Sequence, residues 1–144
     1  MRLGAPTERP PMDDSRTEYE FAILRVVPHV HLGAFVNVGV VLHARRAGYL
    51  TLRAVQDSAS LHARIPGVDA DLLARYLDSC IAICAGNADA GPVALAPTSE
   101  RFHWLTAPRS DILQSSPVHE GICDDAATEL ERLFGMYVGL GIRD

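Results

Sequence analysis

The stretch Phe35 to His43, FVNVGVVLH, constrains the fold more than any other part of the chain. Val36, Val38, Val40 and Leu42 recur at a period of two and make one continuous apolar face. Phe35, Asn37, Gly39, Val41 and His43 fall on the opposite face. That alternation belongs to a β-strand, whose successive side chains leave on opposite sides. Upstream, Tyr19 to Val27 reads YEFAILRVV and ends at Pro28. It is apolar on both faces except at Arg25, as expected of a central strand. The turn ARRAG, Ala44 to Gly48, leads into a third strand at Tyr49 to Val55. Three strands on short links predict an antiparallel meander.

The downstream half is read as helical. Asp57 to Ile65 suits a short helix capped by Asp57 or Ser58, broken by Pro66 and Gly67. Asp69 caps a long helix over Ala70 to Ala85, with Leu73, Tyr76, Leu77, Cys80, Ile81 and Cys84 at helical spacing and Gly86 as its stop. Val93 to Leu95 reads as a short strand, Glu100 to Leu105 as one helical turn, and Asp111 to Ser115 as extended. Asp124 or Asp125 caps the last helix, Ala126 to Val138, whose stripe is Ala127, Leu130, Phe134, Tyr137 and Val138. Phe102, Trp104 and Leu105 are expected in the core or lining a subsite. Strands and helices segregate along the chain. The expected fold is therefore α+β: a mostly antiparallel sheet, with an N-terminal three-strand meander, packed by two amphipathic helices.

Residues 1–17 carry three prolines and no hydrophobic run, and are read as a flexible leader before a single domain at 18–144. Met12, followed by Asp13 and Asp14, is a second candidate start. No run of about 18 apolar residues predicts a membrane helix. The three cysteines, Cys80, Cys84 and Cys123, lack a CxxC pair and suit a reducing cytoplasm. Cys80 and Cys84 share a helical face as small core residues, and no metal or other cofactor is expected.

All 13 basic residues are arginines, which excludes Schiff-base lysine chemistry and the lysine of a phosphate-binding P-loop. The net charge of −5 argues against a generally basic nucleic-acid coat. It averages unlike halves. Residues 1–64 hold 8 arginines against 6 acids, and residues 65–144 hold 5 against 12. The meander could therefore still meet an anionic partner.

The densest polar segment is Ala107 to Gly121, APRSDILQSSPVHEG, stiffened by Pro108 and Pro117 and expected as a rigid loop. Within it, Arg109 suits an anion clamp, His119 an acid or base, and Ser110, Gln114 and Ser116 hydrogen bonding. Ser110 or Ser116 as nucleophile is the lesser reading, since no GxSxG elbow is present. Arg25, Asn37 and His43 are the candidates for a polar patch on one sheet face. Asn37 and Gly39 are poor strand residues, and Gly39 marks either a bulge or a close approach. His29 and His31 form an HxH in the proline-bounded loop, read as solvated, and His62 and His103 as surface residues. The candidate site is thus Arg25, Asn37, Arg109, Ser110, Gln114, Ser116 and His119.

The strings YEFAILRVVPHV, FVNVGVVLH, RFHWLTAPRS and SSPVHEG resemble a bacterial family known as domain of unknown function 3037. The resemblance covers about Tyr19 to Val138. It carries no established activity or site residue. Its members resemble neighbours of genes for HipA-type kinases, which implies a two-protein system. The first functional reading is a non-enzymatic accessory protein that binds a partner protein, with a HipA-like kinase as the partner the resemblance implies. The alternative is a small phosphoesterase or nuclease-like enzyme, with Arg109 on phosphate, His119 moving a proton, and Gln114 or Asn37 orienting the substrate. Nucleic-acid binding without catalysis is a weaker third reading, and a homodimer is compatible with all three.

Overall fold

The computed structural model describes residues 16–28, 35–108 and 112–139. Among the described residues, five strands form one antiparallel sheet: β1 (Thr17–Val26), β2 (Val36–Ala44), β3 (Tyr49–Ala54), β4 (Leu113–Ser115) and β5 (His119–Cys123). β2 and β3 follow in order on one edge of β1, while β4 and β5 both pair with its other edge. β1 is therefore central, as its two apolar faces predict. Four α-helices complete the fold: α1 (Ser58–Arg64), α2 (Ala70–Ala85), α3 (Thr98–Thr106) and α4 (Ala126–Tyr137). The fold is α+β. β1 begins at Thr17, inside the expected leader; residues 1–15 lie outside the described residues.

The helix ends follow their sequence signals. The side chains of Asp57, Asp69 and Asp125 accept from the amides of Ser60, Leu72 and Thr128, so each fills an N-cap. Gly86 closes α2 at a φ of 74°, a left-handed turn that favours glycine. Val93 to Leu95 is not a strand. It lies in a 3-10 turn, Pro92–Leu95, where Pro92 lacks the amide a ladder would need.

The sheet carries a core on each face. On one side Ala22, Leu24, Val26, Val38 and Val41 pack with Leu61 of α1, Leu73, Leu77 and Cys84 of α2, and Phe102 and Leu105 of α3. On the other, Tyr19, Phe21, Ile23, Val40 and Leu42 pack with Leu130, Leu133 and Phe134 of α4. Two apolar stripes are rotated from expectation. α2 buries Ile83 and leaves Tyr76 exposed, and α4 buries Leu133 and leaves Tyr137 exposed. Trp104 also departs from expectation and is exposed beside buried Phe102 and Leu105.

The even alternation expected of Phe35 to His43 is broken by a β-bulge. Arg25 pairs with Asn37 and Leu24 with Gly39, so Val38 is the extra residue. Both Val38 and Val41 then join the three-helix core, whereas Val40 and Leu42 face α4. One inserted residue reverses the parity of everything beyond it. Gly39 also lets β3 approach: a Cβ there would sit 3.1 Å from Ala54 Cβ, the Arg53 carbonyl oxygen and Leu52 Cδ1. A strand, not a helix, occupies the space its missing side chain leaves.

Candidate functional site

The site starts from one rung of the sheet. Arg25 lies in the central strand, opposite Asn37 of β2 on one side and Gln114 of β4 on the other. Directly paired residues of an antiparallel ladder project to the same face. The three polar residues therefore line up across three strands on the α4 face. The bulge makes this alignment, since it slides Asn37 into register with Arg25. The Asn37 amide donates to the carbonyl of Tyr137 at the end of α4, at 3.0 Å. Its Oδ1 is buried with no hydrogen-bond partner among the described residues. The Arg25 guanidinium stacks over the ring of Phe35 at 4.2 Å from the centroid, and Phe35 is itself 50% exposed. Stacking of this kind occupies a face of the guanidinium and leaves its in-plane N–H edges to hydrogen bonding.

His119 shares this sheet face but stands further along. It pairs with Phe21, four residues from Arg25 on β1, which places it roughly 13 Å away along the strand. Its ring lies 5.3 Å from that of Phe21, which in turn meets Tyr137 at 5.9 Å. His119 is exposed. Arg25 and His119 thus bracket the end of α4 and do not converge on one reacting atom. Exposed Val118, next to His119 in the chain, and exposed Tyr137, which meets the same Phe21 ring, add apolar area near His119.

Ser116 is buried and belongs to the backbone of the sheet. Its amide donates to the Ile23 carbonyl at 2.8 Å, and its hydroxyl accepts from the Ile23 amide at 2.9 Å. The same hydroxyl donates to the Pro117 carbonyl at 2.8 Å. Pro117 has no amide for the ladder, and Ser116 spans the break between β4 and β5. With donor and acceptor both committed, this hydroxyl is held as a strut and not poised as a nucleophile. Within the polar segment Ala107 to Gly121, β4 falls in the stretch expected as extended, whereas β5 begins at His119 where a loop was expected. β5 escapes sequence reading because it is an edge strand with His119, Glu120 and Ile122 all exposed, so its alternation is weak. Arg109 and Ser110 lie outside the described residues, as do His29 and His31. His62 and His103 are exposed.

His43 does not join Arg25 and Asn37. Beyond the bulge it points to the three-helix face, where it is 1% exposed. The two helical cysteines are buried core residues, and burial, reinforced by Cys80, pushes the Cys84 thiol up to about 12. Among the described residues no group of three or more His, Cys, Asp or Glu could hold a metal ion. No described helix is long and apolar enough to cross a membrane.

Three residues of this surface could not be found by pattern. Tyr137 falls in the apolar stripe that the sequence assigns to the core, and its exposure becomes visible only once the phase of α4 is known. Phe35 and Met136 fall outside the apolar stripes, and no sequence signal sets them apart from other surface residues. No curated protein and no solved structure matches the chain. The family model described as protein of unknown function, DUF3037, matches residues 21–138, and the chain belongs to that family.

Proposed function

We propose that the chain is an accessory protein that docks a partner protein through the Arg25 rung and the end of α4. The observation that carries this reading is the stack of Arg25 on half-exposed Phe35, on the rung whose Asn37 bonds the carbonyl of exposed Tyr137 at the end of α4. Arginine and large aromatics dominate the energetic centres of protein interfaces. An arginine stacked on an exposed aromatic ring offers both burial and a directional contact. The partner we propose is the HipA-like kinase that the family resemblance implies.

Native co-purification with the product of an adjacent kinase-like gene tests the reading. The wild-type chain is expected to retain the partner, and Arg25→Ala or Phe35→Ala to weaken it at least about 30-fold, the size of a 2 kcal/mol hot spot. Both variants should keep their melting temperature within a few degrees, because neither side chain lies in a core cluster. A partner held equally by wild type and both variants overturns the assignment of this surface. A wild-type chain that retains no partner overturns the accessory role.

A further inference from the structure

The outer edge of β5 is open. Among the described residues β5 pairs with β1 and with no other strand. The helices lie elsewhere: α2 packs over β3, α3 over β2, β3 and β4, and α4 over β1, β2 and β3. The phase of the ladder fixes which backbone groups this edge presents. The Ser116 amide donates to the Ile23 carbonyl and the Val27 amide to the Ile112 carbonyl, so the odd-numbered residues of β1 bond toward β4 and β5. The bulge lies in β2, and β1 keeps this phase along its length. Tyr19 and Phe21 therefore bond Gly121 and His119, the residues they lie opposite. The amides and carbonyls of Glu120 and Ile122 point away from the sheet. An unpaired edge of this kind is a template for another strand. Ile122 on it is 55% exposed and Val118, just before it, 43% exposed. Within His119–Cys123 no proline or bulge blunts the edge.

The charges on this edge select its occupant. Two copies of β5 that meet antiparallel about a two-fold axis must match their outward groups to each other. The axis can then fall at Glu120, Gly121 or Ile122. At Glu120 it sets that residue against its own copy, and because Glu20 lies opposite Glu120 within each sheet, the carboxylates of both copies line up in one row. At Ile122 it sets Glu120 against Asp124 of the second copy. Like charges directly opposed destabilise a sheet. At Gly121 both clashes vanish: Glu120 meets Ile122 of the second copy, and Ile122 meets its Glu120. Each isoleucine then stands between that glutamate and Glu18, its own neighbour on β1. The two glycines meet at the axis as a non-hydrogen-bonded pair, the closer kind, with Cα atoms about 4.5 Å apart. The strand is thus its own complement in one register.

We infer that the chain self-associates through β5, two copies pairing antiparallel about a two-fold axis at Gly121 so that their sheets join into one. Glu120 of each copy exchanges both backbone hydrogen bonds with Ile122 of the other. The exposed part of Ile122 is withdrawn from water. The contact is one short strand from each copy, at the low end of specific interfaces, so the dimer dissociates in the micromolar range. The Arg25 rung takes no part in it, and the dimer stands or falls apart from the docking surface.

Sedimentation equilibrium of the full chain from about 1 to about 500 μM reads the association, and a monomer–dimer equilibrium is expected. A chain that stays monomeric throughout overturns the inference. Ile122→Pro tests the strand pairing. The Ile122 amide takes no part in the β1 ladder, so proline spares the fold and strips a donor from the dimer, and the variant should be monomeric. Ile122→Glu and Ile122→Lys test the register. By symmetry glutamate places like charges beside Glu120 of the second copy twice, and lysine opposite charges twice. The lysine variant should associate at least about 10-fold more tightly than the glutamate variant. Disulfide trapping in a mixture of Glu120→Cys and Ile122→Cys chains reads the pairing directly, since residues opposed across a ladder lie within disulfide reach. The native cysteines are buried, and the two kinds of chain should cross-link to each other in preference to their own kind. If Ile122→Pro fails to melt cooperatively, the trapping decides. A dimer that persists in folded Ile122→Pro, equal association of the glutamate and lysine variants, or absence of the mixed cross-link overturns the pairing at Gly121.

Discussion

Replacing Gly121 with alanine drives a methyl group into the ring of Tyr19. The two residues pair directly across β1 and β5, and the ring lies over the glycine. A Cβ at position 121 would stand 2.6 Å from Tyr19 Oη, 2.7 Å from Cζ and 3.0 Å from Cε2. Gly121 does not have a positive φ, so the expected loss is steric and not conformational. The ring cannot swing away freely. It is 7% exposed, its centroid is 5.9 Å from that of Phe21, and its hydroxyl donates to Glu129 Oε2 at 2.5 Å. Glu129 is itself held by Arg132 through bonds of 2.9 and 2.7 Å. Overpacking of this kind costs about 1–3 kcal/mol, and loosening a partly exposed charged hydrogen bond adds about 1 kcal/mol. The expected destabilisation is about 3 kcal/mol, or a fall of roughly 10 °C in melting temperature for a chain of this size. Thermal unfolding followed by circular dichroism measures it. A Tyr19→Ala background removes all three of the atoms nearest the added methyl group, and Gly121→Ala should then change stability by under about 0.5 kcal/mol. A single variant that melts within about 3 °C of wild type refutes the steric reasoning. So does the same loss in both backgrounds, because the double-mutant cycle would then show no coupling.

Alkali should destabilise the chain through two groups held neutral by the fold. Burial first, then the bond and charge of Glu129, raise the Tyr19 hydroxyl from 10.0 to about 12, and burial raises Cys84 from 9.0 to about 12. The unfolded chain ionises both groups first, so their contribution is complete below pH 9 and is lost as the pH climbs towards about 12. Denaturant midpoints measured against pH should show a decline starting near 9. Tyr19→Phe should remove the part that begins near 10 and Cys84→Ala the part that begins near 9, whereas unchanged curves would refute the assignment. Ser116→Ala should cost about 1–3 kcal/mol, because it strips the Ile23 amide of its acceptor inside the sheet. Chemical denaturation reads that loss, and partner retention in the same variant should equal that of wild type.

The parts of the fold legible in the sequence are those where a short-range rule acts alone. The meander, the three aspartate caps and the glycine stop of α2 each depend on a few adjacent residues. The misread parts depend on contacts far along the chain. β5 is a strand because β1 offers it an edge, and Ser116 secures the crossing past Pro117 with bonds to Ile23, 93 residues away. Tyr137 and Leu133 trade places in the α4 stripe because the sheet fixes the rotation of the helix, and no local propensity encodes that angle.

The placement of polar residues on β2 shows how one local irregularity decides which face each of them presents. Asn37 and His43 are six residues apart, and in a regular strand an even separation puts both on one face. Their sequence spacing therefore predicts a single patch with Arg25. The extra residue Val38 makes the structural separation odd, so Asn37 faces α4 and His43 faces α3. Gly39, the residue that most weakens the strand as a pattern, follows the bulge and leaves β3 room to close beside it. A regular β2 in register at Asn37 would have carried His43 into the α4 core, away from Thr98, and one in register at His43 would have left Arg25 opposite Val38. The bulge instead divides the polar residues of one strand between two faces of the sheet: Asn37 joins the Arg25 rung beside α4, and His43 is buried between Glu20 and Thr98 on the three-helix face. The irregularity that defeats the sequence pattern is thus what sends polar residues of one strand to both faces of one small domain.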